Sequence, residues 1–111
     1  SGIDISSSYG TPVMPPADGT VTYADFLGGY GRAVVVDHGH GISTRYGHLG
    51  NFAVISGQHV HRGDTIGYVG LSGRSTGPHL HYEVRINDTP VNPHKYLRVT
   101  YAHTGGFAAG T

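Results

Sequence analysis

The sequence has no cysteine, no tryptophan and no long apolar run. Without cysteine, disulfide bonds and thiolate metal sites are excluded. The lack of cysteine does not indicate in which cellular compartment the protein works. Without about 20 consecutive apolar residues, no membrane-spanning helix is expected. The chain also lacks a charged start followed by an apolar stretch, so we expect no signal peptide in it.

Charge is scarce as well, since only 13% of the residues are charged and seven basic side chains balance seven acidic ones. Nucleic-acid binding needs a basic face that displaces counterions. Docking on an anionic membrane surface needs a basic cluster too. We therefore expect neither partner.

Glycine, tyrosine and histidine are abundant, with 19, 8 and 9 copies among 111 residues. The length suits one domain. Many glycines and tyrosines with few helix formers indicate short strands joined by tight turns. We predict a mainly β fold: a single compact domain of antiparallel sheet or sheets with long loops. Strands are expected at residues 19–23, 33–37, 42–48, 65–69 and 79–86, with one helical turn at 93–97.

Three His-x-His pairs could each chelate an ion, because residues i and i+2 of a strand share a face. The pairs are His38/His40, His59/His61 and His79/His81. The first alternates with glycines in a predicted turn, where the imidazoles would lack partners that fix their orientation. The second adjoins Arg62, whose charge disfavours a bound cation. We interpret both as surface histidines.

The third pair begins the clearest strand, whose alternate positions 80, 82, 84 and 86 are apolar. Such a strand is a rigid platform for a site, although polar strand faces are often only solvated. Zinc catalysis needs three protein ligands and an open position. Asp4 and His81 would supply two ligands, while His48 and His79 have the chemistry for proton transfer and oxyanion stabilisation. A third ligand is missing.

These residues belong to an ordered set of motifs that closely resembles the lysostaphin/LytM-type M23 metallopeptidases. The set runs from residue 1 to about 97 and comprises Gly2-Ile3-Asp4, Gly10-Thr11-Pro12-Val13, Asp18-Gly19, Gly31, Thr44-Arg45-Tyr46-Gly47-His48-Leu49, Gly57-Gln58, Arg62-Gly63, Ile66-Gly67 and Ser75-Thr76-Gly77-Pro78-His79-Leu80-His81-Tyr82-Glu83-Val84. The resemblance implies a LytM-like fold with an open substrate groove over residues 1–98, followed by a tail at 99–111. It also implies a monomeric zinc endopeptidase that cleaves peptidoglycan cross-bridges or stem peptides, in the periplasm, the cell envelope or outside the cell.

The resemblance further assigns roles to single residues. Asp4 and His81 would bind Zn²⁺, and His48 and His79 would be the catalytic histidines, one as base and one as stabiliser of the tetrahedral intermediate. Tyr46 lies two residues before His48, so on a strand it would share that face and border the substrate groove.

One family ligand is absent from the chain. The histidine of the family's His-x-x-x-Asp motif would stand just before Ser1. We expect that the natural protein has it there, and that the chain without it binds zinc poorly and is inactive. Alternatively, the protein is a non-catalytic LytM-like module that binds or regulates cell-wall hydrolases.

Two other enzyme classes fit less well. A cupin would need its glutamate four or five residues after His81, whereas Glu83 is only two away. A serine-hydrolase triad of Ser75, His79 and Asp88 would lack the Gly-x-Ser-x-Gly elbow.

Overall fold

The structure, a computed structural model, describes residues 2–71, 77–96 and 107–108, the last two and residues 95 and 96 by their backbone only. The strands are β1 (Ile3–Ser6), β2 (Pro12–Met14), β3 (Gly19–Phe26), β4 (Arg32–Gly39), β5 (Ile42–Phe52), β6 (His59–Val60), β7 (Gly67–Val69), β8 (His79–Ile86), β9 (Thr89–Val91) and β10 (Phe107–Ala108). Two 3₁₀ turns span Gly28–Tyr30 and Pro93–Tyr96. The described residues contain no α-helix, which confirms the predicted mainly β fold.

The strands form one sheet in which β5 is central. The order β10-β2-β7-β5-β4-β3-β6 runs across the sheet, and β8 pairs with β5, β1 and β9. β5 is 11 residues long, which leaves room for its first part to pair with β8 and its last part with β7. The described pairs are antiparallel except that β10 runs parallel to β2.

The hairpin of β4 and β5 and the strand at 79–86 have the predicted locations. A strand expected at 65–69 is limited to β7, and the helical turn near Pro93 is a 3₁₀ turn. The predicted boundary between domain and tail at residues 98 and 99 lies outside the described residues, so it stays a prediction. No helix among the described residues is long and apolar enough to cross a bilayer.

The core consists of aliphatic and tyrosine side chains. Its fully buried members include Val13, Val21, Val34, Val36, Tyr46, Ile66, Leu80 and Tyr82. From β8, Leu80, Tyr82 and Val84 are buried, as the alternation of that strand predicted, so its odd-numbered side chains lie on the other face. Hydrophobic burial thus sets which face of β8 carries His79 and His81.

This packing predicts a contrast between two leucines. Leu80→Ala should lower the free energy of unfolding by about 2–5 kcal/mol, because it leaves a cavity in a closely packed core. Leu71, which is 64% exposed, is the matched control, and Leu71→Ala should change stability by less than about 0.5 kcal/mol. Denaturant titration of both variants measures the difference. Equal losses would contradict the assignment of the apolar face of β8 to the core.

Candidate active site

The pairing of β1 with β8 brings Asp4 beside His81. The two residues are direct partners in the antiparallel register. The Asp4 Oδ1 atom lies 2.9 Å from Nδ1 of His81. The carboxyl group is largely exposed, whereas the imidazole is mostly covered. A carboxylate oxygen and an imidazole nitrogen, both suitable metal ligands, therefore meet at one point of the sheet surface.

His79 comes from the same strand face as His81. Its Nε2 atom is 3.8 Å from Asp4 Oδ1, and its Nδ1 atom is 3.1 Å from the carbonyl oxygen of Gly77. A carbonyl oxygen only accepts hydrogen bonds, so Nδ1 of His79 carries the proton in that contact. In the neutral ring the lone pair is therefore on Nε2, the nitrogen that lies 3.8 Å from Asp4 Oδ1.

A β-bulge brings His48 into this group. Arg32 pairs with Leu49 and Val34 pairs with Tyr46, so β5 has one residue more than β4 over this stretch. His48 has a φ of 60°, in the left-handed region, as bulge residues often do. Its ring centroid lies 5.0 Å from that of His79 and 5.9 Å from that of His81. The structure thus brings together the two expected metal ligands and the two expected catalytic histidines.

The bulge also explains why the prediction for Tyr46 is wrong. Tyr46 is 0% exposed and belongs to the core, and its hydroxyl shares a hydrogen bond with that of Thr44. The period-two rule put Tyr46 and His48 on one face, but the extra residue at the bulge breaks the alternation between them. Tyr46 therefore packs inside the domain and does not border a groove.

The donor atoms suit a metal ion. Within the described part of the chain, the one group of three donors that all lie within 4.8 Å of one another is Asp4, His48 and His79. His81 is outside that group, although its Nδ1, at 2.9 Å, is nearer to Asp4 Oδ1 than is Nε2 of His79, at 3.8 Å. One carboxylate oxygen with imidazole nitrogens is a donor set that Zn²⁺ accepts. The cluster fits zinc, and geometry alone leaves two ligand sets open.

Glu83 lies behind His81 and was missed as a site residue by the sequence reasoning, which weighed it only against a cupin spacing. Its carboxylate is buried and accepts hydrogen bonds from Tyr30, His81 and Arg85. Burial by itself raises the pKa of Glu83, but these donors outweigh it and hold the pKa below its ordinary value. The sequence did offer one signal for Glu83, because the alternation of β8 places it on the same strand face as His79 and His81.

The other histidine pairs lie elsewhere on the sheet. His59 and His61 are exposed, as predicted, and they line an open cleft with Asp18 and His38. The prediction that His38 lacks fixing partners is wrong, because its ring contacts the Asp18 carbonyl oxygen at 3.0 Å and the Thr44 hydroxyl at 2.8 Å. Ser75, of the serine-hydrolase alternative, lies outside the described residues.

The fold and the cluster agree with the comparison to known families. Residues 1–93 match the family "Peptidase family M23", and the chain belongs to that family. It is 48% identical over 113 aligned positions to the DD-carboxypeptidase/endopeptidase Mpg of Neisseria meningitidis, with 98% of this chain and 26% of that protein covered. It is 43% identical over 96 positions to the murein hydrolase activator EnvC of Escherichia coli, with 86% of this chain and 23% of that protein covered.

Solved structures show the same architecture. A zinc-containing peptidase from Vibrio cholerae has a TM-score of 0.76 and 40% identity, with 81% of this chain and 28% of that chain covered. The catalytic domain of lysostaphin from Staphylococcus simulans has a TM-score of 0.78 and 31% identity, with 85% of this chain and 75% of that chain covered. The chain spans about a quarter of the length of the curated relatives named above.

The environment of His48 yields a pH prediction for the metal-free protein. Burial is the main cause that lowers its pKa below 6.5, the charges of His79 and His81 add to this effect, and Asp4 opposes it. A lower pKa in the folded state means that the unfolded state takes up the proton first as the pH falls. His48 should therefore contribute stability above about pH 6.5 that is lost as the pH falls through its folded pKa.

An NMR titration of the ring protons of His48 measures this directly. We expect a midpoint below 6.5 in the metal-free chain. A midpoint at or above that value would show that the site does not keep this imidazole neutral.

Proposed function

We propose that this chain is the catalytic domain of a zinc-dependent endopeptidase that hydrolyses peptide bonds in peptidoglycan cross-bridges or stem peptides. The observation that carries the proposal is the convergence of Asp4, His48, His79 and His81 on one face of the sheet. The similarity to Mpg, a DD-carboxypeptidase/endopeptidase, and to the zinc-containing peptidase of Vibrio cholerae supports it. The setting would be the periplasm, the cell envelope or the extracellular space. Action as a monomer stays a prediction.

In this proposal Asp4 and His81 are metal ligands, and a histidine just before Ser1 is the third. Support comes from the contact of Asp4 Oδ1 with His81 Nδ1 and from the carboxylate behind His81 at Nε2. Histidines that bind metals usually donate their other N–H to such a group. A bound zinc ion would polarise the scissile carbonyl and make a nearby water more acidic.

The two remaining histidines carry out proton transfer and charge stabilisation. Since Nδ1 of His79 donates to the Gly77 carbonyl oxygen, its Nε2 can accept a proton from the attacking water. Burial lowers the pKa of His48, which favours the neutral ring, and the ring can donate an N–H to the oxyanion of the tetrahedral intermediate. We propose His79 as the base and His48 as the stabiliser on these grounds.

Metal binding by single variants distinguishes the two ligand sets. The protein, extended upstream of Ser1 by its natural residues, is titrated with zinc against a chromophoric chelator. We expect His81→Ala to abolish stoichiometric binding, while His48→Ala and His79→Ala retain it. His59→Ala is the control, since His59 is exposed on β6 and should not affect binding. Retained zinc in His81→Ala, with loss in His48→Ala and His79→Ala, would instead assign the metal to Asp4, His48 and His79.

Turnover tests the catalytic roles separately from the metal. In zinc-loaded protein, His79→Ala should lower kcat on purified peptidoglycan by about 10²–10⁴-fold, the usual contribution of general acid–base catalysis. Wild-type activity should fall below about pH 6, because the imidazoles must be neutral to bind metal or accept a proton. A wild-type rate in the variant, or a wild-type activity that does not fall at acidic pH, would contradict a histidine base.

The similarity to EnvC supports one alternative, a non-catalytic module that activates murein hydrolases. The identity of the residue before Ser1 separates the two functions. A histidine there favours the peptidase, and another residue favours the activator. Activity assays decide between them: release of peptides from peptidoglycan by the purified protein supports the peptidase, whereas stimulation of a separate hydrolase without peptide release supports the activator.

A further inference from the structure

We propose that Glu83 is a positioning residue that fixes the ring of His81, so that Nε2 carries the proton and Nδ1 faces Asp4. Tyr30 and Arg85 hold Glu83 in place in turn. The consequence for zinc rests on the proposed function, in which His81 is a ligand. The orientation of the ring does not rest on it and can be measured by itself.

The hydrogen bonds of Glu83 divide between its two oxygens. Oε2 accepts from the Tyr30 hydroxyl at 2.7 Å and faces His81 Nε2 at 2.9 Å. Oε1 accepts from Arg85 Nε at 3.1 Å. The Arg85 guanidinium also approaches the Tyr30 hydroxyl, at 3.5 Å. Glu83 is thus held by donors on both sides, and its remaining contact is the imidazole.

The chemistry of these groups sets the proton position on His81. A carboxylate paired with a guanidinium is an acceptor only, so the ring nitrogen that faces it must donate. Asp4 Oδ1 is an acceptor as well and lies 2.9 Å from Nδ1, but its side chain is 63% exposed and can turn to water. Glu83 is 5% exposed and is fixed by Tyr30 and Arg85, so Glu83 decides which ring nitrogen donates, and a neutral imidazole then has its lone pair on Nδ1. The carboxylate therefore selects the tautomer that offers a nitrogen lone pair on the side of Asp4.

Tight packing keeps the ring and the carboxylate together. A Cβ atom placed on Gly2 would lie 2.7 Å from Glu83 Cγ and 2.7 Å from both Cε1 and Nε2 of His81. The backbone of Gly2 therefore lies directly against the contact between the two side chains. The Tyr30 ring approaches the imidazole as well, with centroids 5.5 Å apart. Only 5% of the Glu83 side chain is exposed, so little water competes for the hydrogen bond.

The burial of this network is not explained by stability alone. An ion pair removed from water often contributes no more to stability than apolar side chains of similar volume. What an apolar residue at position 83 could not supply is an acceptor that fixes one ring nitrogen of His81. This is why we assign Glu83 a positioning role and not only a structural one.

The first test is Glu83→Gln, which keeps the shape but replaces one oxygen by an amide. Arg85 only donates, so the amide oxygen should turn to Arg85 and the NH₂ group to His81. The NH₂ group would then donate to Nε2, which moves the ring proton to Nδ1. NMR of the metal-free protein with isotope-labelled histidine reports the tautomer, and the His81 signal is assigned by its loss in His81→Gln. We expect the Nε2–H form in the wild type and the Nδ1–H form in the variant.

Zinc affinity is the second readout, in the protein extended upstream of Ser1. Loss of a residue that supports a metal ligand usually lowers affinity 10–100-fold, and we expect about that range for Glu83→Gln. Asp88→Asn is the matched control: Asp88 also pairs with Arg85, but its side chain is 82% exposed in the turn between β8 and β9, so both readouts should stay at wild-type values. Wild-type tautomer and wild-type affinity in Glu83→Gln would overturn the proposal.

Tyr30→Phe serves if Glu83→Gln does not fold, because it removes one hydroxyl and keeps the ring against His81. The Nε2–H form should persist, while zinc affinity falls by about tenfold, the low end of such effects. Unchanged affinity would overturn the proposal. His81→Ala separates it from the proposed function: zinc retained there refutes the ligand role of His81, whereas zinc lost there but unaffected in Glu83→Gln refutes only the role of Glu83.

Discussion

The register of β8 between β1 and β5 is the constraint on which the site depends. In the same antiparallel sheet, His81 faces Asp4 on one neighbouring strand and Gly47 on the other. Gly47 precedes the bulge residue His48, so a single row across three strands assembles the cluster. A slip by one residue would direct Leu80 and Tyr82 toward Asp4 and bury the histidines. Because the apolar residues of β8 must be buried in the core, they fix the register that assembles the site.

Two glycines allow the backbone to pack closely against the side chains of this row. Gly2 lies against His81 and Glu83, and a Cβ on Gly47 would lie 3.2 Å from the carbonyl oxygen of Tyr30. Tyr30 in turn contacts Glu83. Gly2 and Gly47 therefore allow the start of the chain and the loop around Tyr30 to pack against the imidazole of His81. The exposed carboxyl of Asp4 leaves the outer side of the cluster open, where a substrate would enter in the proposed function.

Local patterns in the sequence were sufficient to predict the mainly β fold, the β4–β5 hairpin and β8, since alternation and turn residues determine these elements. Tyr46 shows where such reasoning fails, because a bulge defined by pairing with β4 broke the alternation that the prediction assumed. His38 shows a second limit, since its partners are Asp18, just before β3, and Thr44 on β5, which only the folded sheet brings to it. The sequence placed Glu83 on the same strand face as His79 and His81, but its partner Tyr30 is 53 residues away in the chain, so the local pattern did not show its role.

The location of the metal is the central claim, and a zinc-soaked crystal of the protein extended upstream of Ser1 tests it most directly. Anomalous scattering at the zinc absorption edge would place the ion. The account predicts a peak at bonding distance, about 2.0–2.2 Å, from a carboxylate oxygen of Asp4 and from Nδ1 of His81. A peak bonded to His48 and His79, with His81 unbound, would contradict it.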